Sequence, residues 1–312
     1  MIGTDGVTRI VLPSSGKIGR LSEVIGARAP GPDVSLADQR RLFEEVTARL
    51  PLAEGVRCRP VDAGGVPAEW IEPPHCRRAA PIVMYFHGGG YIMGSLNTIR
   101  ALASRLSDAA GARLLSVGYR LAPEHPLPAA VDDGVAAYRY LLSLGTAPSH
   151  IVLGGDSAGG GLTVAVLMAI RDRGLPQPAG AICLSPWSDL TLSGSSIDTH
   201  EDTDPEVRRW RLTQMAELYL DGQDPRSPLA SPALADLTGV APLLVVAGTA
   251  EVLQDDAVAL GAAARRAGVD ATVELYQDMI HVWPAFAPGL PEATATIDRL
   301  AAWINEQCKE QP

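Results

Sequence analysis

Three groups in this chain have the types and order needed for nucleophilic chemistry: Ser157, a carboxylate at Glu251, Asp255 or Asp256, and His281. A serine hydroxyl becomes a useful nucleophile when a histidine takes its proton and an acid holds that histidine in place. Ser157 lies in Ile151-Val152-Leu153-Gly154-Gly155-Asp156-Ser157-Ala158-Gly159-Gly160-Gly161-Leu162. A β-branched and leucine run stops at two glycines, and after the serine three more glycines open an apolar helical pattern. The G-x-S-x-G spacing of Gly155, Ser157 and Gly159 fits a strand that turns sharply into a helix and pushes the serine out over the sheet edge. Gly-Ser-Gly loops are common, so the flanking strand and helix are what give the pattern meaning. Glycine suits such a turn because the backbones come too close for a Cβ atom.

Acyl chemistry also needs donors for an oxyanion. His87-Gly88-Gly89-Gly90 follows the apolar run Ala80 to Phe86 directly. The N–H groups of Gly88 and Gly89, with that of Ala158 after the serine, are the predicted donors. The His87 side chain reads as a structural hydrogen-bonder. Of the six histidines, His281 alone stands in a loop after the last strand pattern, where the base belongs in the order serine, acid, histidine. The acid is expected after the run Pro242 to Ala247, in Gly248-Thr249-Ala250-Glu251-Val252-Leu253-Gln254-Asp255-Asp256. Glu251 is nearest the strand end and is favoured. Asp255 and Asp256 fit the start of the next helix, where carboxylates cap and complement the dipole.

These groups must be held by elements that alternate along the chain. Apolar runs of strand length at Ala80–Phe86, Arg113–Tyr119, Ile151–Leu153, Ala179–Leu184, Pro242–Ala247 and Ala271–Tyr276 are separated by helical spacing. The helical patterns cover Thr98–Ala110, Ala129–Leu144, the stretch opening at Ser157, Asp255–Ala267 and Pro291–Gln307. The fold class is therefore α/β, a mostly parallel sheet with helices on both faces. Val56–Val61 and Val66–Ile71, split by Asp62-Ala63-Gly64-Gly65, read as a hairpin that makes the sheet mixed. Before it, Leu36 to Leu50 has helical spacing with Ser35 as N-cap. The stretch between Leu184 and Pro242 is too long for a connection and reads as an insertion over the sheet edge. In it, Asp204-Pro205 is expected to start a helix that ends near Leu220. With the N-terminal helix this insertion could form a lid.

Composition narrows the function further. The net charge of −10 argues against nucleic acid and anionic membrane as partners. No apolar stretch approaches the ~20 residues that span a bilayer, and the N-terminus lacks a signal-peptide pattern. Cys58, Cys76, Cys183 and Cys308 are scattered and the histidines isolated, so no metal site is expected. The default reading is a cytoplasmic protein with reduced thiols and no cofactor.

Taken together, His87-Gly88-Gly89-Gly90-Tyr91, Tyr119-Arg120-Leu121-Ala122-Pro123-Glu124-His125-Pro126, Gly155-Asp156-Ser157-Ala158-Gly159-Gly160 and Leu184-Ser185-Pro186-Trp187 are specific. On these motifs the chain resembles the bacterial hormone-sensitive-lipase-like family of α/β-hydrolase carboxylesterases. The likeness covers about residues 55–187 and 240–308. It implies one α/β-hydrolase domain over 1–312 with an eight-stranded sheet, and a helical cap from about 1–50 and about 188–235. It also implies hydrolysis of short-to-medium acyl esters through an acyl-serine, on a small-molecule substrate, with homodimer pairing through an edge strand as a further expectation. The family has aspartate where this chain has Glu251, in an Asp-Pro-Leu-x-Asp-Glu run. Tyr91, Met93, Trp187 and Trp283 are the expected pocket walls. A cis bond is expected before Pro123 or Pro128, and Asp156 is expected to support the elbow by hydrogen bonding. The same triad would serve a lactone, amide or carbamate hydrolase. A non-catalytic ligand-binding protein on this scaffold is the reading of a different class, and the presence of His281 with a nearby acid weighs against it.

Overall fold

The apolar runs form the strands of a single sheet, in a computed structural model that describes residues 6–76 and 80–309. The first five residues of the expected cap segment lie outside the described residues. In chain order the elements begin with β1 (Val7–Ile10), α1 (Ile18–Gly26), α2 (Leu36–Thr47), β2 (Arg57–Asp62), β3 (Pro67–Glu72) and β4 (Ile82–Phe86). There follow α3 (Leu96–Ala110), β5 (Arg113–Val117), α4 (Ala129–Ser143), β6 (Ile151–Asp156), α5 (Ala158–Asp172) and β7 (Gly180–Leu184). The chain ends with α6 (Ser196–Thr199), α7 (Arg209–Leu220), β8 (Leu243–Gly248), α8 (Gln254–Arg266), β9 (Ala271–Tyr276) and α9 (Pro291–Gln307). The strand order is β1-β9-β8-β7-β6-β4-β5-β3-β2. Neighbours are parallel except where β3 pairs antiparallel with β2 and β5.

The sheet has nine strands, where eight were expected. The added strand is β1, which runs parallel to β9 with Val7 opposite Val273 and Ile10 opposite Tyr276. It is four residues long and Val7 is its one fully buried side chain, so its apolar signal is weak. Residues 7–10 therefore belong to the sheet and not to the cap expected over 1–50. A second correction concerns Asp204. Its Oδ1 accepts the N–H groups of Glu206 (3.0 Å) and Val207 (2.9 Å), so it caps a turn, but the helix starts only at Arg209. The delay has a physical reason: Asp204 Oδ2 is drawn to the N–H of Val252 at 3.1 Å, and the chain stays extended at Arg208. Both expected cis positions, before Pro123 and before Pro128, are cis.

Side chains alternate across the strands as a pleated sheet requires. Ile82, Met84 and Phe86 of β4 join a core with residues of α4, α5 and α8, whereas Val83 and Tyr85 join one with α3 and α9. The centre of the first layer is α5, where Leu162, Val164, Val166, Leu167 and Ile170 are fully buried. Each such side chain contributes about 1.5–3 kcal/mol. Together they outweigh the roughly 1–3 kcal/mol that a strained backbone position costs, and such a position stands at the head of this helix.

Candidate active site

Ser157 occupies that position, with φ 54° and ψ −123° between β6 and α5. A Cβ on Gly159 would collide with the carbonyl of Phe86, so only glycine lets α5 begin this close to β4. The Ser157 N–H donates to Leu184 O (2.9 Å), and its carbonyl accepts from Trp187 N–H (2.9 Å). The elbow is thus fastened to the end of β7.

The acid and base loops follow β8 and β9 and are fastened to each other. Ala250 N–H donates to Met279 O (3.0 Å), and Asp278 N–H to Thr249 Oγ1 (2.9 Å). His281 Nδ1 lies 2.7 Å from Glu251 Oε2, and Glu251 Oε1 accepts the N–H of Gly248 at 2.7 Å. Glu251 has no solvent exposure, so its charge is poorly screened at the imidazole. Burial lowers the His281 pKa, but the hydrogen bond and charge of Glu251, with the charges of Asp204 and Glu206, raise it further, and the net shift is upward. Asp255 and Asp256 point elsewhere. Asp255 Oδ2 accepts from Ser195 Oγ and Ser196 N–H, and Asp256 Oδ2 from the N–H groups of Ser188 and Asp189.

Ser185 joins the nucleophile and base sides, a part that the sequence did not single out. It is buried, and its Oγ accepts the N–H of Val282, the residue after His281, at 3.1 Å. Its signal was present in the Leu-Ser-Pro-Trp motif without a role attached.

The His87–Gly90 loop passes beside the elbow, since a Cβ on Gly88 would stand 3.2 Å from Ser157 Cβ. The Gly88 N–H, however, donates to Asp156 Oδ2 at 3.1 Å. Gly88, expected as an oxyanion donor, therefore has its one N–H turned to Asp156 in this structure. The N–H groups of Gly89, Gly90 and Ala158 hold no hydrogen bond to any described residue. Asp156 is buried, and burial pushes its carboxyl up to about 6 against the opposing pull of His281. His87 is structural: its Nδ1 is 2.8 Å from Gly88 O, its ring stacks on Tyr119, and burial lowers its pKa to about 4.

Of the expected pocket walls, Tyr91, Met93 and Trp187 gather at this loop. Tyr91 stacks on Tyr219 of α7 at 3.8 Å and tilts against Trp187 at 5.9 Å. Trp283 does not join them. It is buried against Tyr276, and its Nε1–H donates to Thr296 Oγ1 of α9, so it is core on the α9 face of the sheet. Among the described residues no group of three or more His, Cys, Asp or Glu side chains could hold a metal ion.

Residues 83–285 match a family model described as the alpha/beta hydrolase fold. A crystal structure of an esterase from the bacterial hormone-sensitive lipase family is 47% identical, with TM-score 0.92 over 96% of this chain and 100% of that one. The chain belongs to that family. A crystal structure of EstE5 soaked with p-nitrophenyl butyrate is 44% identical, with TM-score 0.91 over 95% of this chain and 99% of the other. An acetyl-hydrolase of Streptomyces hygroscopicus is 49% identical over 245 residues, 78% of this chain and 81% of that protein. An esterase of Acinetobacter venetianus is 33% identical over 267 residues, 85% and 88% of the two chains.

Proposed function

We propose that the protein is a serine carboxylesterase acting on short-to-medium acyl esters. The observation that carries this is the 2.7 Å contact of buried Glu251 with His281, in loops fastened to the elbow that presents Ser157. His281 Nε2 takes the Ser157 proton as Oγ attacks the ester carbonyl, and the imidazolium that forms is held by Glu251. The tetrahedral oxyanion is met by the free N–H groups of Gly89, Gly90 and Ala158, the last at the positive end of α5. The tetrahedral intermediate collapses to an acyl-serine as the alcohol leaves with the proton from His281. Water, deprotonated by the same imidazole, then releases the acid and restores Ser157. No step needs a metal or an organic cofactor.

The relatives named esterase and acetyl-hydrolase, and the butyrate ester used with EstE5, support small acyl groups. We take α1, α2 and the stretch of about 188–235 as a cap on a single domain, because Tyr219 and Met215 of α7 cover Tyr91 and Gly90. Cys58, Cys183 and Cys308, which form no disulfide among the described residues, support a reducing, cytoplasmic setting. Homodimer pairing through a sheet edge falls to β1 or β2, the outer strands.

The test is Ser157→Ala assayed with p-nitrophenyl butyrate, with a fluorophosphonate probe on both proteins. Wild type is expected to turn over the ester and label at Ser157, and the folded variant to do neither. Retained turnover in the variant would remove the nucleophile assignment.

A further inference from the structure

The cap holds a buried cation that its surroundings leave largely unused. Arg211 of α7 has 7% of its side chain exposed. Among the described residues its buried Nε has no hydrogen-bond partner, and its Nη2 reaches only the thioether sulfur of Met93 at 3.8 Å. Its Nη1 stands 3.8 Å from Glu206 Oε1, beyond hydrogen-bond length. A guanidinium has five N–H donors in a rigid fork, and burying one without oxygen acceptors is unfavourable. A cap that needed only packing at this place would favour leucine or methionine.

The location gives this cost a use. Arg211, Met215 and Tyr219 recur at helical spacing on one face of α7. Met215 is the side chain that a Cβ on Gly90 would strike, and Tyr219 stacks on Tyr91. Met93 N–H donates to Gly89 O, so the sulfur beside the guanidinium belongs to the loop that offers the oxyanion donors. On the other side, Glu206 is among the charges acting on His281. The guanidinium therefore sits beside the loop that offers the oxyanion donors, with Glu206 on its other side.

We infer that Arg211 is a specificity residue that receives an anionic group of the substrate, so that the preferred esters carry a carboxylate or similar oxyanion away from the scissile bond. This rests on the esterase reading and names its substrate class. A carboxylate fits because its two oxygens match the guanidinium fork, and the pairing satisfies donors that the protein leaves open. Glu206, exposed on one side, is free to turn to solvent when the substrate anion arrives.

The experiment compares esters matched in size. Mono-p-nitrophenyl glutarate against p-nitrophenyl pentanoate places the anion on the acyl side, and 3-carboxyphenyl pentanoate against phenyl pentanoate places it on the alcohol side. In wild type, kcat/KM is expected to favour the anionic member of at least one pair by about tenfold, mainly through KM. Arg211→Met should abolish that preference, and Arg211→Lys should keep part of it, since an ammonium retains the charge without the fork. The wild-type ratios need no variant, so a misfolded Arg211→Met leaves the inference testable. Ratios at or below one in both pairs, or a preference unchanged in Arg211→Met, would overturn it. Failure of wild type to hydrolyse any of the four esters would instead overturn the esterase reading beneath it.

Discussion

Glu251 carries one methylene more than an aspartate, and the turn uses that length. One oxygen holds the Gly248 N–H and the other the His281 ring, so the side chain shapes its own loop while orienting the base. Asp255 and Asp256 are spent on the 188–196 stretch, and this geometry separates the candidates that the sequence left open. Glu251→Gln is expected to lower kcat by about 10³–10⁴-fold in a folded protein, because it replaces the acceptor charge and disturbs the tautomer. Asp255→Asn and Asp256→Asn should stay within about tenfold of wild type. Steady-state rates on p-nitrophenyl butyrate decide, and collapse of an aspartate variant with Glu251→Gln intact would reverse the assignment. The pH profile tests the same contact. His281 acts as a base only when neutral, and Glu251 raises its pKa, so kcat/KM should fall with decreasing pH through a midpoint above about 6.5. Glu251→Gln should move that midpoint down. The proposed positions of Ser157, Glu251 and His281 were legible because each follows a strand end in a fixed order. The Gly88–Asp156 hydrogen bond was not, because Gly88, Gly89 and Gly90 are equivalent as letters.

At the scale of elements, the helix that the sequence described best is docked by a residue it gave no reason to notice. Ser35 caps α2 by accepting the Asp38 N–H, as its position implied. What binds α2 to the site is Arg40, whose Nε donates to Ile92 O (2.7 Å) and whose Nη2 donates to Ala122 O (2.8 Å). The same guanidinium pairs with both oxygens of Glu124. Glu124 is 55% exposed, so its ion pair is screened and adds little. The two carbonyl bonds carry more, about 1–3 kcal/mol together. They tie α2 to the residues just beyond the oxyanion loop and to the Ala122 carbonyl near the cis prolines. Arg40→Ala is expected to lower Tm by a few degrees and to raise KM for p-nitrophenyl butyrate several-fold. Arg40→Lys should not restore either value, since one ammonium cannot serve acceptors spread around a planar fork. Calorimetry and steady-state kinetics would show this, and an unchanged Tm and KM in Arg40→Ala would mean that α2 is held by its apolar contacts alone. Such long polar reaches are invisible to periodicity, which registers only which face of a helix is apolar.

At the scale of the molecule, the alternation of strands and helices was legible because β4, β7 and β8 are continuous apolar runs buried on both faces, and β5, β6 and β9 are mostly so. The outermost strand was not, because an edge strand needs few apolar residues and β1 buries only Val7 completely. Its contribution is to the backbone. By pairing along β9 from Val273 to Tyr276, and by accepting the Gln277 N–H on Ile10 O, it covers an edge that would otherwise present unpaired N–H and C=O groups. An uncovered edge is a template for another chain. A variant lacking the first twelve residues keeps α1, Ser157, Glu251 and His281, but leaves β9 open. It is expected to melt at lower temperature and to elute from size exclusion at a larger apparent mass than the full chain at equal concentration, more so as concentration rises. Light scattering on the eluting peak gives the mass directly. Equal mass and equal Tm in the two proteins would mean that β1 lies on β9 without protecting it, and that the sheet is stable with eight strands.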